Sequence, residues 1–573
     1  MSDKKKNKGC LVALLVVIGL MLVGIIVFSS FIGNISRGKQ VKVTAGATLV
    51  LDFNGPLAYQ EQGLWEESSA GIYPLLYALE RSADDSRVTS ILIRYSGVPA
   101  WQIEEINNIL EEVKKSGKKI YAYYDNLDSG AFLASKLADE IWMQPSASSI
   151  IDLKGYYFSM PFYKRMFDKL GIEFTVIHMG AYKGTGENYT QREMSPEMRS
   201  NMESVVDGLF SRFVESFSRS RKLDKADFEK KILDGDFFLI SPEEALEYKL
   251  VDKIGYETEF YESTGIDREK CVPLSDYAAA ETLPMAREKI ALIYAQGTIS
   301  MGESRNSYNP LFGRMSVLGE ETFTELVRKA EERDDVKGIV VRVDSPGGDA
   351  LASDIMWASL KRAAGKKPVF VSVGGMGASG GYYISTPAKK IFVDETSIVG
   401  SIGVVAMLPN FRGLAENKVG LDYQVISKGR YAGFGDPFKE VTGGEALRLK
   451  ESMEKTYTEF KSRVAEGRGM SMDRVEELAQ GKIYLGGDFV HLGLADEIGG
   501  LRDALEAMKE ELKLKRAQVV IYPEPLSFWE RLREGSLWGM NREPLDLETF
   551  LKELTGPNPV KTEFVCGDLD EVL

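Results

Sequence analysis

The stretch Val371–Ser385 reads VSVGGMGASGGYYIS. A β-branched run enters two glycines, Met376 to Gly381 follow, and an aromatic pair closes the segment. That order predicts a strand, a tight turn and the start of a helix, with Ser379 at the junction. A serine so placed has two readings. Small neighbours leave its hydroxyl open and the amides of a new helix face incoming negative charge, which suits a nucleophile. Serine is also a common helix cap. The stretch alone leaves both readings open.

Outward from it, the chain alternates strand-like and helix-like segments, which predicts parallel sheet with crossover helices. It also repeats itself. KGIVVRVDSPGGDALASDIMWASLKRAAGKKPVFVSV matches TSILIRYSGVPAWQIEEINNILEEVKKSGKKIYAY, and KIFVDETSIVGSIGV matches EIWMQPSASSIIDLKG in pattern. GLDYQVISKGRYAG matches GIEFTVIHMGAYKG, and GKIYLGGDFVHLGLADEIG echoes DGDFFLISPEEALEYKLVDKIG. The offset stays at about 250 residues, so two copies of one α/β domain are expected. The division is a first domain at 47–260 and a second at 287–510, with linkers at 33–46 and 261–286 and a C-terminal extension at 511–573.

The copies differ where chemistry would sit. Ser379 falls opposite Ser129, and Lys183 falls opposite Ala432. Only the second copy surrounds its serine with Ser345-Pro346-Gly347-Gly348 and Gly374-Gly375, and only the first carries the lysine. Neither half is complete, so the expected site is assembled between the copies.

Composition narrows the chemistry. The 573 residues carry a formal charge of −14, which supplies no basic surplus for nucleic acid. Three cysteines cannot form a disulfide framework, and two histidines, His178 and His491, leave little imidazole for a metal site or a serine–histidine triad. No metal and no cofactor are expected. A lysine can replace the missing histidine: desolvation disfavours the ammonium, and the neutral amine then accepts a serine proton. Lys183 has small or apolar neighbours in Ala181, Tyr182 and Gly184, which permits burial, although a lysine in a loop is ordinarily solvated. Backbone amides at Gly347, Gly348 and Gly380 are candidates for holding an oxyanion. Asp344 and Asp349 read as turn and helix-capping residues. Ser129 is expected to be non-catalytic.

The N-terminus adds a further expectation. Lys4, Lys5, Lys6 and Lys8 precede CLVALLVVIGLMLVGIIVFSSFIG, an apolar run long enough to cross a bilayer. Residues 1–32 thus read as a cytoplasmic tail and membrane anchor, with lipid contact through residues 10–32 and the catalytic body outside. Near the other end, LSFWERLREGSLWGM reads as an amphipathic helix for oligomer or core packing. GPNPVKTEFVCGDLDEVL reads as a loosely held tail.

VDSPGG, GGMGASGGYYIS and TSIVGSIGV, with MGAYKG in the preceding copy, resemble the signal peptide peptidase A (protease IV) family, in its long tandem-domain bacterial form. The resemblance implies Ser379 as nucleophile, Lys183 as general base and Ser401 as the accessory hydroxyl that holds the lysine amine. It implies two crotonase-like or Clp-protease-like α/β domains preceded by one transmembrane helix, a homotetramer, and a place in the bacterial inner membrane. The implied activity is that of a membrane-anchored serine endopeptidase acting on cleaved signal peptides and similar apolar peptides. The alternatives are a catalytically silent membrane scaffold on the same fold, and an acyl-CoA hydratase or isomerase.

Overall fold

The computed structural model describes residues 43–59, 71–94, 96–281, 283–309, 313–523 and 562–565. Two predominantly parallel sheets follow one another along the chain. In the first, the strands in spatial order are Cys271–Pro273, Ala47–Leu51, Val88–Ile93, Lys119–Tyr124, Glu140–Met143 and Lys253–Ile254. In the second, the order is Ile483–Leu485, Ile398–Gly400, Val369–Ala378, Val336–Ser345, Lys289–Gln296 and Gln518–Tyr522. Val88–Ile93 and Lys119–Tyr124 are joined through the helix Ala100–Lys115, as Val336–Ser345 and Val369–Ala378 are through Ala350–Ala364. The tandem α/β architecture expected from the repeat is present.

Local chemistry explains these elements. All ten residues of Val369–Ala378 are buried, as a strand covered on both faces requires. Trp101, Ile103, Ile106, Ile109, Leu110 and Val113 recur at helical spacing and are buried on one side of Ala100–Lys115. One core is common to the two sheets, beside a second cluster built almost wholly from the second repeat. Leu76, Leu79 and Ile106 of the first repeat share one apolar cluster with Leu292, Val340, Phe370 and Leu505 of the second. Glu105 and Arg342, both almost fully buried, form an ion pair across that junction.

A third sheet joins the repeats through the strand Glu173–Met179. It pairs antiparallel with Val404–Asn410, from Glu173↔Asn410 to Met179↔Val404. The repeat partner of Glu173–Met179, by the match of GLDYQVISKGRYAG to GIEFTVIHMGAYKG, is residues 422–428. It forms no ladder, and Val425 and Ile426 are exposed. The first-repeat stretch that would correspond to Val404–Asn410 is also unpaired, around residues 155–161, so the ladder forms on one side only.

Two expectations are corrected. Among the described residues no helix is long and apolar enough to cross a membrane. The longest helices, Pro196–Arg221 and Gly443–Arg468, have the length but carry charges along it, including Arg199, Glu203, Asp207, Arg212 and Glu215 in the first. Among the described residues the fold class is the tandem α/β pair, with no transmembrane helix preceding it. The membrane anchoring, bilayer contact and single-pass inner-membrane placement expected of that helix find no support among the described residues. The stretch they were read from, residues 10–32, lies outside the described residues, as does the amphipathic segment 526–540. The second correction concerns the tail. Thr562–Val565 is a strand, lying antiparallel between Gly347–Asp349 and Val404–Asn410.

Candidate active site

Ser379 stands where the strand Val369–Ala378 ends and the helix Gly380–Ser385 begins. Its backbone has φ 52° and ψ −115°, a left-handed conformation that costs a non-glycine residue on the order of 1–3 kcal/mol. The side chain makes no cap bond to its own helix. The peptide is instead held by its amide, which donates to the Gly400 carbonyl at 2.7 Å. The strained turn thus frees Oγ from local bonding and directs it elsewhere.

It meets Lys183 from the other repeat. Lys183 Nζ donates to Ser379 Oγ at 2.8 Å, to Ser401 Oγ at 2.9 Å and to the Ser401 carbonyl oxygen at 3.1 Å. Lys183 is 2% exposed, Ser379 0% and Ser401 2%, so the three form one buried cluster. Ser401 also has a left-handed backbone, at φ 52°, and its amide donates to the Lys482 carbonyl at 2.7 Å. The structure brings together the three side chains singled out in the sequence.

The glycines divide by function. Gly348, at φ 150°, lies against the Ile299 backbone with no space for a Cβ. Gly380 opens the helix after Ser379, and a Cβ there would lie 2.6 Å from Ser353 Oγ. The Gly347 amide donates to Ser345 Oγ at 3.2 Å, so a local hydroxyl already occupies it. Gly374 and Gly375 are not site glycines. A Cβ on Gly374 would lie 2.5 Å from the Tyr59 hydroxyl, and one on Gly375 would lie 2.6 Å from Trp101 Nε1. They make room for first-repeat side chains docking on the back of the strand that carries the serine.

That dock is a polar cluster. Arg342 bonds Ser372 Oγ at 2.6 Å, pairs with Glu105, and lies 4.9 Å from the Trp101 ring centre. Tyr59 donates to Asp344 Oδ2 at 2.8 Å, and Asp344 Oδ1 accepts the Met376 amide at 2.9 Å. Asp344 therefore ties the repeats together rather than forming a turn, whereas Asp349 caps its helix by accepting from the Ala352 amide at 2.9 Å. Burial, and next the charge of Glu105, push the Asp394 carboxyl well up. Burial raises the Glu104 carboxyl to about 7, with Glu395 adding to the rise and the Thr396 amide opposing it. Sequence reading missed this cluster because its members are scattered over both repeats. Among the described residues no group of histidine, cysteine and carboxylate side chains could hold a metal ion.

A serine on a strained strand-to-helix turn, facing a buried lysine amine in a tandem α/β fold, points to the serine–lysine class of serine hydrolases. Residues 112–269 and 361–515 match peptidase family S49. The chain belongs to that family of serine peptidases, which work through a serine–lysine dyad. It is 30% identical over 534 residues to the chloroplastic serine protease SPPA of Arabidopsis thaliana, covering 90% of this chain and 77% of that one. It is 28% identical over 528 residues to protease 4 of Haemophilus influenzae, covering 86% and 82% of the two chains. With protease 4 of Salmonella typhi the identity is 27% over 586 residues, covering 95% and 91%.

Proposed function

We propose that Ser379 is the nucleophile and Lys183 the general base of an endopeptidase that takes extended, apolar peptides. The observation that carries this reading is the 2.8 Å approach of Lys183 Nζ to Ser379 Oγ inside a buried cluster. Burial removes the water that would solvate an ammonium and so favours the neutral amine that the role needs. Ser401, through its hydroxyl and its carbonyl, directs that amine at the serine.

In the reaction, neutral Lys183 takes the Ser379 proton as Oγ attacks the scissile carbonyl. The amides of Gly348 and Gly380 stabilise the oxyanion. Collapse expels the amine, which leaves with the proton returned from Lys183. Water, deprotonated by the same amine, then hydrolyses the acyl-serine and restores the hydroxyl. Gly347 is dropped from the oxyanion set because its amide is engaged by Ser345.

The peptide enters by strand addition. The lane between Gly347–Asp349 and Val404–Asn410 holds an extended segment antiparallel to both, and the chain's own Thr562–Val565 lies there. Such a lane reads main chain, and the residues opposite the segment on one side, Val405 and Ala406, are apolar and buried. A relative from Enterococcus faecium, 35% identical over 239 residues, is described as a putative signal peptide peptidase. Cleaved signal peptides, being apolar, suit the same lane once Thr562–Val565 leaves it.

The test is hydrolysis of a quenched apolar peptide by wild type, Ser379→Ala and Lys183→Ala. Both variants should lose about 10³-fold or more in kcat, with the fold retained by circular dichroism. Undiminished turnover in either would overturn the assignment.

A further inference from the structure

We infer that Gln480 is a positioning residue for the general base, holding the Lys183 loop against Ser379 from the opposite repeat. The inference rests on the proposed role of Lys183.

The ladder that carries the first repeat into the site ends at Met179↔Val404. Lys183 lies beyond that last pair, in the loop Gly180–Gly184. Two bonds across the repeat junction hold this loop, and both end on one residue. The Ala181 amide donates to Gln480 Oε1 at 3.1 Å, and the Tyr182 amide donates to the Gln480 carbonyl at 2.8 Å. The approach is close enough that Gly180 has no room for a Cβ, which would lie 2.5 Å from the Gln480 carbonyl carbon. A Cβ on Gly481 would lie 2.6 Å from Lys183 N.

Gln480 is itself braced. Its amide donates to the Tyr457 hydroxyl at 3.2 Å, and its side-chain amide donates to Glu476, which pairs with Lys461. Those partners stand on the helices Gly443–Arg468 and Met472–Leu478. The brace therefore runs from second-repeat helices to the first-repeat lysine.

Backbone conformation gives a second, independent argument. Gln480 sits at φ 60°, where glycine would be comfortable and glutamine is strained. Among the described residues seven non-glycine residues have positive φ. Three of them, Ser379, Ser401 and Gln480, meet at Lys183 or its loop. Gln480 follows the end of the helix Met472–Leu478, as Lys222, Lys249 and Lys513 follow the ends of theirs, and Leu239 is the seventh. In the first repeat the matching helix, Lys225–Asp234, is also closed by a left-handed residue, but there it is Gly235, at φ 83°. The strained glutamine occurs only in the copy that grips the base. Keeping a side chain at a glycine-like position is explained by the bond that side chain makes to Ala181.

The experiment compares Gln480→Gly with wild type. The glycine variant keeps the backbone carbonyl and relieves the strain, so only the side-chain amide is lost. Expected are a kcat reduced about 10- to 100-fold, KM within twofold, and fluorophosphonate labelling of Ser379 slowed by the same factor, with the thermal midpoint undiminished. Gln480→Glu should also be slow, because it sets a carboxylate against Glu476. Adding Glu476→Gln restores a donor–acceptor pair and should recover most of the rate. Unchanged kcat and labelling in Gln480→Gly, or losses that track KM or the thermal midpoint, would overturn the inference. Lys183→Ala is run alongside. If it labels at the wild-type rate, the dyad itself fails. If it is silent while Gln480→Gly is unaffected, only the positioning role fails.

Discussion

Ser379 and Ser129 match in the repeat alignment, and each stands at the start of a short helix, Gly380–Ser385 and Ser129–Ala134. At Ser129 the turn is closed by ordinary means: Asp128 caps the helix, its Oδ1 accepting from the Ala131 amide at 2.8 Å. The Ser129 backbone is not left-handed, and Ala432, which matches Lys183 by sequence, is exposed. At Ser379 the turn is strained, the side-chain cap is missing, and a lysine amine takes the hydroxyl. A satisfied turn is inert, and an unsatisfied one is available for chemistry. Duplication lets one copy keep the base and the other the nucleophile, with the buried junction between them holding the pair in register.

The largest expected effect tests that contrast outright. Ser379→Ala should lower peptide hydrolysis by about 10³-fold or more, while Ser129→Ala stays within twofold of wild type in the same assay. Comparable losses would break the comparison. Next comes the junction. Glu105→Ala strands Arg342 without its partner in the core, and loss of one member of such a pair costs about 3–5 kcal/mol. Urea unfolding should report it, and activity should fall with the folded fraction. A smaller loss is expected of Ser401→Ala. It deletes one hydrogen bond to the lysine amine and leaves the Ser401 carbonyl in place, so kcat should drop about 10- to 100-fold with KM little changed.

The smallest effect is a pH dependence of stability. Burial raises the folded-state Glu104 carboxyl to about 7, above its unfolded value of about 4.3. The native state therefore binds the proton more tightly between those values. Its contribution is complete below about pH 4 and declines as pH rises to about 7, by on the order of 1–3 kcal/mol. Glu104→Gln should flatten the fall in denaturation midpoint between pH 5 and 7.5. An identical slope in the variant would assign the dependence elsewhere.

Much of this was legible in the sequence, for identifiable reasons. VSVGGMGASGGYYIS announces a strand, a turn and a helix because its residue types switch abruptly. The internal repeat locates the absent base because a duplicated chain carries its own reference. Other features depend on what the chain packs against. Gly374 and Gly375 read as glycines of the site, yet a glycine shows that something approaches closely without showing what, and here it is Tyr59 and Trp101. The segment 422–428 matches the strand Glu173–Met179 in sequence and yet forms no ladder. Gln480 carries no sequence signal at all, since its importance lies in a left-handed backbone and a contact nearly three hundred residues away.

The central claim is that one serine of the repeated pair is activated, and by a lysine from the other repeat. Active-site labelling with a fluorophosphonate, followed by mass mapping of the modified peptide, tests it most directly. The account predicts a single adduct on Ser379 in wild type and none in Lys183→Ala. An adduct on Ser129, or full labelling of Ser379 without Lys183, would contradict it.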